Sequence, residues 1–389
     1  MDRSLSPPLA HDATLSSLTT QFYWLSNLLH VAATAISFFL VYYFVTALHF
    51  SMVEAGLLMS FYGLGIFFAT VIGPYLKQSK IVLGTLLLST LTLGNFLMLR
   101  TFSPLALNLM AFGFASALFK NTPWPSSPKL YLSSNLGLAL TMLLVLLFSL
   151  QDFKVLCVIA LIFNALALLF VASGLKQNKI IQKEVKHKNT DLMPCLFPKK
   201  DAILCFLLLF LGGLLLAQLT ITYGLYLALE FPHLGLKALA IFMLIHLSVL
   251  CFLQKPLLMV FYRGNALFKS GCGAFLLGLG CYVLCFGHAF SVVGLSAMVF
   301  SLGEVFFINA LYKTYREANL LNFFSKVLTL SLILGASSGT YVFQYAGADR
   351  LWHACALLGM LCLGVGLFSF KIQLRTNRFK VFRRARKRV

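Results

Sequence analysis

Charge is what this chain has least of. Asp and Glu together number 11, and charged residues of both signs make up 11% of 389 positions, against about 25% in a water-soluble domain. A soluble fold of this length could not bury the accompanying 60% of hydrophobic residues, because surface grows too fast relative to volume. Also absent are an HExxH pair and a Gly-rich phosphate loop ending in Lys-Ser or Lys-Thr, so zinc-hydrolase chemistry and ATP-driven pumping find no footing. No loop is long enough for a catalytic or nucleotide-binding domain. The nine cysteines include no CxxC pair, which leaves no metal or cofactor site to expect. Cys281 and Cys285, on one helical face, read as small apolar side chains in a bundle. The first twenty residues contain Asp2, Pro7, Pro8 and Asp12 and lack the apolar core and cleavage site of a secretory signal.

What is there is apolar sequence in long runs. Mean hydropathy is +0.89 and phenylalanine alone occurs 38 times. Windows of membrane-spanning length fall near Phe22–Phe50, Val53–Leu76, Ile81–Leu99, Leu105–Leu118, Leu130–Leu150 and Val155–Leu175. Six more fall near Ala202–Leu229, Leu236–Val260, Ala266–Phe286, Phe290–Tyr312, Phe323–Ala346 and Leu351–Phe370. The fourth, Leu105–Leu118, is the shortest. The expected fold class is therefore all-α integral membrane, with twelve transmembrane helices.

The net charge of +20 would point to nucleic acid in a soluble protein, but its distribution points to a membrane. With a cytoplasmic N-terminus, 27 of the 31 Lys and Arg fall on inside segments or the span ends beside them, leaving only Arg100, Lys154, Lys237 and Arg350 outside. That is the positive-inside pattern. It places both termini in the cytoplasm and leaves no nucleic-acid partner to expect. A multi-pass protein of the cytoplasmic (inner) membrane is the expectation.

The chain divides into an N-terminal six-helix bundle (1–175), a basic linker (176–201), a C-terminal six-helix bundle (202–370) and a basic tail (371–389). Linker and tail are cytoplasmic and suited to anionic lipid headgroups. The halves echo each other. Ala47-Leu48-His49-Phe50 recurs as Ala228-Leu229-Glu230-Phe231, Pro74 and Leu76 match Pro256 and Leu258, and Phe112-Gly113 falls against Leu302-Gly303. A duplicated six-helix unit suits a carrier with its site between the repeats.

Six plus six helices around a basic linker resemble the major facilitator superfamily over essentially the whole chain, without resolving a subfamily. Leu48-His49-Phe50-Ser51, Gly56, Gly63, Gly65 and Gly73-Pro74 are similar to that family's first outer loop and small-residue second helix. Gly113-Phe114-Ala115-Ser116-Ala117 is similar to its fourth helix, and Ser301-Leu302-Gly303-Glu304-Val305 to its tenth. There are departures. The stretch Gly73–Lys80 lacks the gating acid, Asn108 and Leu109 stand where the family's arginine before Gly113 is expected, and span five lacks the Gly-Pro-rich pattern of many drug–proton antiporters.

The resemblance implies a non-enzymatic secondary active transporter working by alternating access on a small amphipathic organic solute such as a drug, metabolite or siderophore. Export is favoured slightly over import, with protons as the coupling ion. Two other readings compete: a lipid-modifying intramembrane enzyme, and a non-transporting receptor or scaffold on a carrier fold.

Candidate site residues follow from the cost of polar groups in lipid. Span one carries Asn27, His30, Thr34 and Ser37 on one helical face. Span seven carries Gln218, Thr222 and Tyr226 at i+4 steps. Asn108 and Phe112 come from span four, His246 from span eight, and Ser301 and Glu304 from span ten. These twelve residues are the expected substrate cavity. Glu304, the only carboxylate well inside an apolar run, and His30 are the expected coupling groups. Glu304 could instead be held in an ion pair with Lys326 or a neighbouring helix.

Overall fold

Within a bilayer each backbone N–H and C=O must be satisfied inside the protein, which leaves the helix as the local solution for sequences apolar on every side. The computed structural model describes residues 10–76, 78–121, 128–148, 152–178, 199–260, 265–287, 289–318 and 320–386. Among these residues every regular element is helical. The basic linker expected over 176–201 falls largely outside them.

The helices are α1 (Ala10–Thr34), which passes through a 3-10 turn at Ala35–Phe39 into α2 (Leu40–Thr46), then α3 (Met52–Ile72), α4 (Gln78–Asn95), α5 (Phe102–Asn121), α6 (Pro128–Leu147) and α7 (Phe153–Asn178). The second half has α8 (Lys199–Thr220), α9 (Thr222–Glu230), α10 (Leu236–Val260), α11 (Ala266–Val283), α12 (Phe290–Glu317), α13 (Leu321–Ala346) and α14 (Ala348–Arg386). Ten helical stretches among the described residues are long and apolar enough to cross a membrane, and two shorter apolar helices cover Ile81–Asn95 and Ser133–Leu147. The short members are thus the third and fifth runs, not the fourth. The fourth gains length because Pro104 sits in the first turn of α5, where its missing N–H costs nothing.

Helix ends are specified locally. Ser51 caps α3 in a capping box, its hydroxyl accepting from the Glu54 N–H at 3.2 Å while Glu54 accepts from the Ser51 N–H at 2.8 Å. Asn265 caps α11 by accepting from the Leu267 and Phe268 N–H groups.

Packing in the two halves follows one scheme. In the first, α1 packs on α6 and α7, α4 on α5 and α7, and α3 on α5. In the second, α8 packs on α13 and α14, α11 on α12 and α14, and α10 on α12. Each pair in the first set has its counterpart six spans later. Three contacts join the halves, α3 with α13, α6 with α10 and α2 with α9, and the same six-span shift exchanges the first two. Close approach here depends on small residues. A Cβ added at Gly65 would stand 2.0 Å from the Met110 carbonyl oxygen, and one added at Gly113 would stand 2.1 Å from that of Tyr62, so no side chain fits at either position.

Two helices are interrupted at corresponding points. Span one breaks at the 3-10 turn Ala35–Phe39, and span seven breaks at Ile221, between α8 and α9. In the second case Thr220 and Thr222 donate their hydroxyls to the Ala217 and Gln218 carbonyls, a contact that bends helices.

Candidate functional site

The two interruptions face each other across a cavity of about 260 Å³ between the halves. Span one contributes Val31 and Thr34 to Phe38 without Ile36, α3 contributes Met59, Tyr62, Gly63 and Ile66, and α6 contributes Leu138. From the second half come Thr220, Ile221 and, on one face of α13, Thr329, Leu332, Ile333 and Ala336. The lining contains no charged residue. Its polar side chains are the hydroxyls of Thr34, Ser37, Tyr62, Thr220 and Thr329.

The cavity is closed at one end. Between α3 and α13, Ser60 donates to the Ile333 carbonyl at 3.1 Å and the Val53 N–H donates to Gln344 Oε1 at 2.9 Å. Beyond them α2 packs on α9, and the Tyr42 hydroxyl lies 3.4 Å from where a Gly235 Cβ would be. These contacts run from the middle of α3 toward its N-terminus. On the other side of the cavity, Ile66 and Thr329 extend the lining toward the opposite helix ends.

Of the twelve residues expected at the cavity, Thr34 and Ser37 line it. The others are placed elsewhere. Asn27 donates to Ser133 and Ser134 on α6, at 2.6 and 3.0 Å. His30 Nδ1 lies 2.8 Å from Asn164 Oδ1 on α7, its ring 4.1 Å from that of Phe119. Asn164 in turn donates to Thr90 and to the Leu86 carbonyl on α4, so this polar knot ties four helices of the first half together. Asn108 donates to the Thr92 carbonyl and accepts from Asn95, and Phe112 is buried against Tyr62 and Phe96. Gln218 donates to the Leu214 and Gly335 carbonyls and accepts from Thr222, which fixes α8 on α13. Tyr226 packs edge-on against Trp352.

His246, Ser301 and Glu304 come together, apart from the cavity. His246 Nε2 stands 3.4 Å from Glu304 Oε2, and its Nδ1 stands 2.7 Å from Ser301 Oγ. Glu304 is therefore paired across α10 and α12 with His246 rather than with Lys326. The His246 side chain is 5% exposed and that of Glu304 26%.

Tyr62, Thr220 and Thr329 were not among the expected residues. Tyr62 lies in the small-residue run of α3, and Thr329, Ile333 and Ala336 follow i, i+4, i+7 spacing, a signal carried by mostly apolar side chains. The run Gly335-Ala336-Ser337-Ser338-Gly339 has the GxSxG spacing of serine hydrolases. It lies inside α13, where Ser337 donates to its own helix at Ile333, and not on the strand-to-helix elbow such a nucleophile needs.

The His30 placement carries a prediction. His30→Ala removes a buried partner of Asn164 and a ring contact, so thermal stability should fall by about 1–3 kcal/mol, read as an earlier melt of the purified protein. Solute affinity of the folded fraction should be unchanged, because the ring does not reach the cavity.

No protein-family profile matches the sequence, and comparison with curated proteins gives no match. Solved structures do match in fold. One of the nucleoside transporter NupG superposes with a TM-score of 0.70 at 15% identity, covering 91% of this chain and 100% of that one. A POT family transporter in complex with a thioalcohol-conjugated peptide gives 0.70 at 14% identity, covering 92% and 96%. An auto-inhibited POT family peptide transporter gives 0.69 at 13%, covering 92% and 96%. These are transporters of the major facilitator fold, and this chain has that fold.

Proposed function

We propose that this protein is a secondary carrier of a small amphipathic organic solute, working by alternating access between two six-helix bundles of residues 1–175 and 202–370. The observation that carries the reading is the cavity itself, set between the halves at the two interrupted helices and closed at one end. Unwound points near the middle of paired helices are where carriers of repeated architecture place their sites. We take twelve spans with both chain ends and the linker in the cytoplasm, a reading supported by ten long apolar stretches, two shorter ones and the charge bias. The sealed end is then the outer one, and this conformation is open inward. The basic linker and tail rest against anionic lipid.

A cavity of about 260 Å³, near the lower end for small-molecule sites, suits a metabolite or small drug better than a siderophore. Export is the favoured direction, because an apolar solute crosses lipid unaided and needs a carrier mainly to leave against its leak. Glu304, paired with His246, is the proton-coupling group. Solute counterflow in proteoliposomes tests the carrier reading: a purified protein that exchanges no solute of any class is a receptor or scaffold instead. Orientation is tested separately. Single cysteines replacing Gln177 and Arg383 should label only from the cytoplasmic side of intact cells, and one replacing Asp152 only from outside. Outside labelling at position 177 would overturn the twelve-span topology.

A further inference from the structure

We infer that the central cavity selects an uncharged solute that brings its own hydrogen-bond donors, an alcohol, phenol or amide on an apolar body, and rejects carboxylates. The inference rests on the carrier reading and deepens it. It follows from where the hydroxyl protons of the lining go. Thr34 donates to the Val31 carbonyl at 3.2 Å, Thr220 to Ala217 at 3.1 Å, and Thr329 to Ser325 at 2.8 Å. Ser37 and Tyr62 are the other two hydroxyls of the lining.

Three of the five polar side chains of the lining, Thr34, Thr220 and Thr329, thus direct their protons into the protein. What they offer a guest is oxygen lone pairs. A hydroxyl has one proton and two acceptor positions, so these side chains receive hydrogen bonds and have none to give. A carboxylate is acceptor-only. It would enter a site with no cation, where three of the five hydroxyl protons are already given to helix carbonyls, bearing most of the desolvation cost of its charge. A protonated amine brings donors but meets no carboxylate, since Glu304 lies on the α10–α12 contact outside the lining. A neutral N–H or O–H on a flat apolar body satisfies both the lone pairs and the surrounding Phe38, Met59, Leu138, Ile221 and Ile333. Sites that present one hydrogen-bonding sign discriminate strongly, because the wrong guest leaves buried polar groups unpaired.

The test uses the full-length protein in detergent and four matched probes: 2-naphthol, 2-methoxynaphthalene, 2-naphthoate and 2-naphthylmethylamine at neutral pH, titrated calorimetrically. 2-Naphthol should bind at least about tenfold more tightly than the methyl ether, the difference expected of one hydrogen bond, and naphthoate should show no saturable binding. Thr34→Val, Thr220→Val and Thr329→Val together remove three acceptors at nearly constant shape. In that variant the naphthol-to-ether ratio should fall toward one while ether affinity is retained. Equal affinity of naphthol and ether, tighter binding of naphthoate or the amine, or no binding by any probe would each overturn the inference. Counterflow of some other solute, a peptide or an organic anion included, would leave the carrier reading standing in those cases, so the two fail separately.

Discussion

Glu304→Gln should abolish solute accumulation driven by a pH gradient while sparing exchange of solute at equal concentrations. Glu304 lies thirteen residues before the end of α12 at Glu317, about 20 Å along the helix at about 1.5 Å per residue. The apolar run ends at Tyr312, before Lys313 and Arg316, so about 12 Å of that length, eight residues at about 1.5 Å each, lies below the interface. At that depth a short side chain cannot snorkel to the interface, and the carboxyl group meets the imidazole of His246, which Ser301 holds from its other nitrogen. Coupling requires that proton affinity differ between the two conformations. The Glu304–His246 pair bridges α10 and α12, and α10 also packs across the halves on α6, so rocking the halves alters the setting of the pair. Glutamine preserves shape and one hydrogen bond but cannot carry a proton. Uptake or efflux by the variant at the wild-type rate under a pH gradient would remove Glu304 from the coupling role. Loss of folded protein would assign the pair a structural one.

Thr329→Phe should reduce solute binding and counterflow at least tenfold while the protein remains folded. Thr329 lines the cavity, so a benzyl group there has empty space to enter and need not be forced into packed core, where added volume costs typically 1–3 kcal/mol. The thermal melt should stay near that of the wild type while counterflow collapses. Retained transport with the cavity filled would place the solute path elsewhere, and the Glu304–His246 contact would be the next surface to examine.

The sequence by itself determined the solvent, the element type and the topology to be tested. Scarce charge excludes a water-soluble fold, and apolar runs of spanning length can satisfy their backbones in lipid only as helices. The internal echoes, Ala47–Phe50 against Ala228–Phe231, correspond to helix packing that repeats six spans on. The pairing of the polar residues was decided only by tertiary structure. Periodicity shows that Asn27, His30, Thr34 and Ser37 share a face, but not what each level of that face meets. Lower on the helix that face is enclosed by Ser133, Ser134 and Asn164, and at Thr34 and Ser37 it opens on the cavity. Reading polar residues as cavity residues also passed over α3 and α13, whose contribution is mainly apolar. Their place in the lining comes from where Ser60 and Ile333 bring the two helices together, a contact between residues 273 apart in the chain. Neighbours so distant are set by the packing of whole helices, and no local pattern of residues encodes which helix a given face will meet.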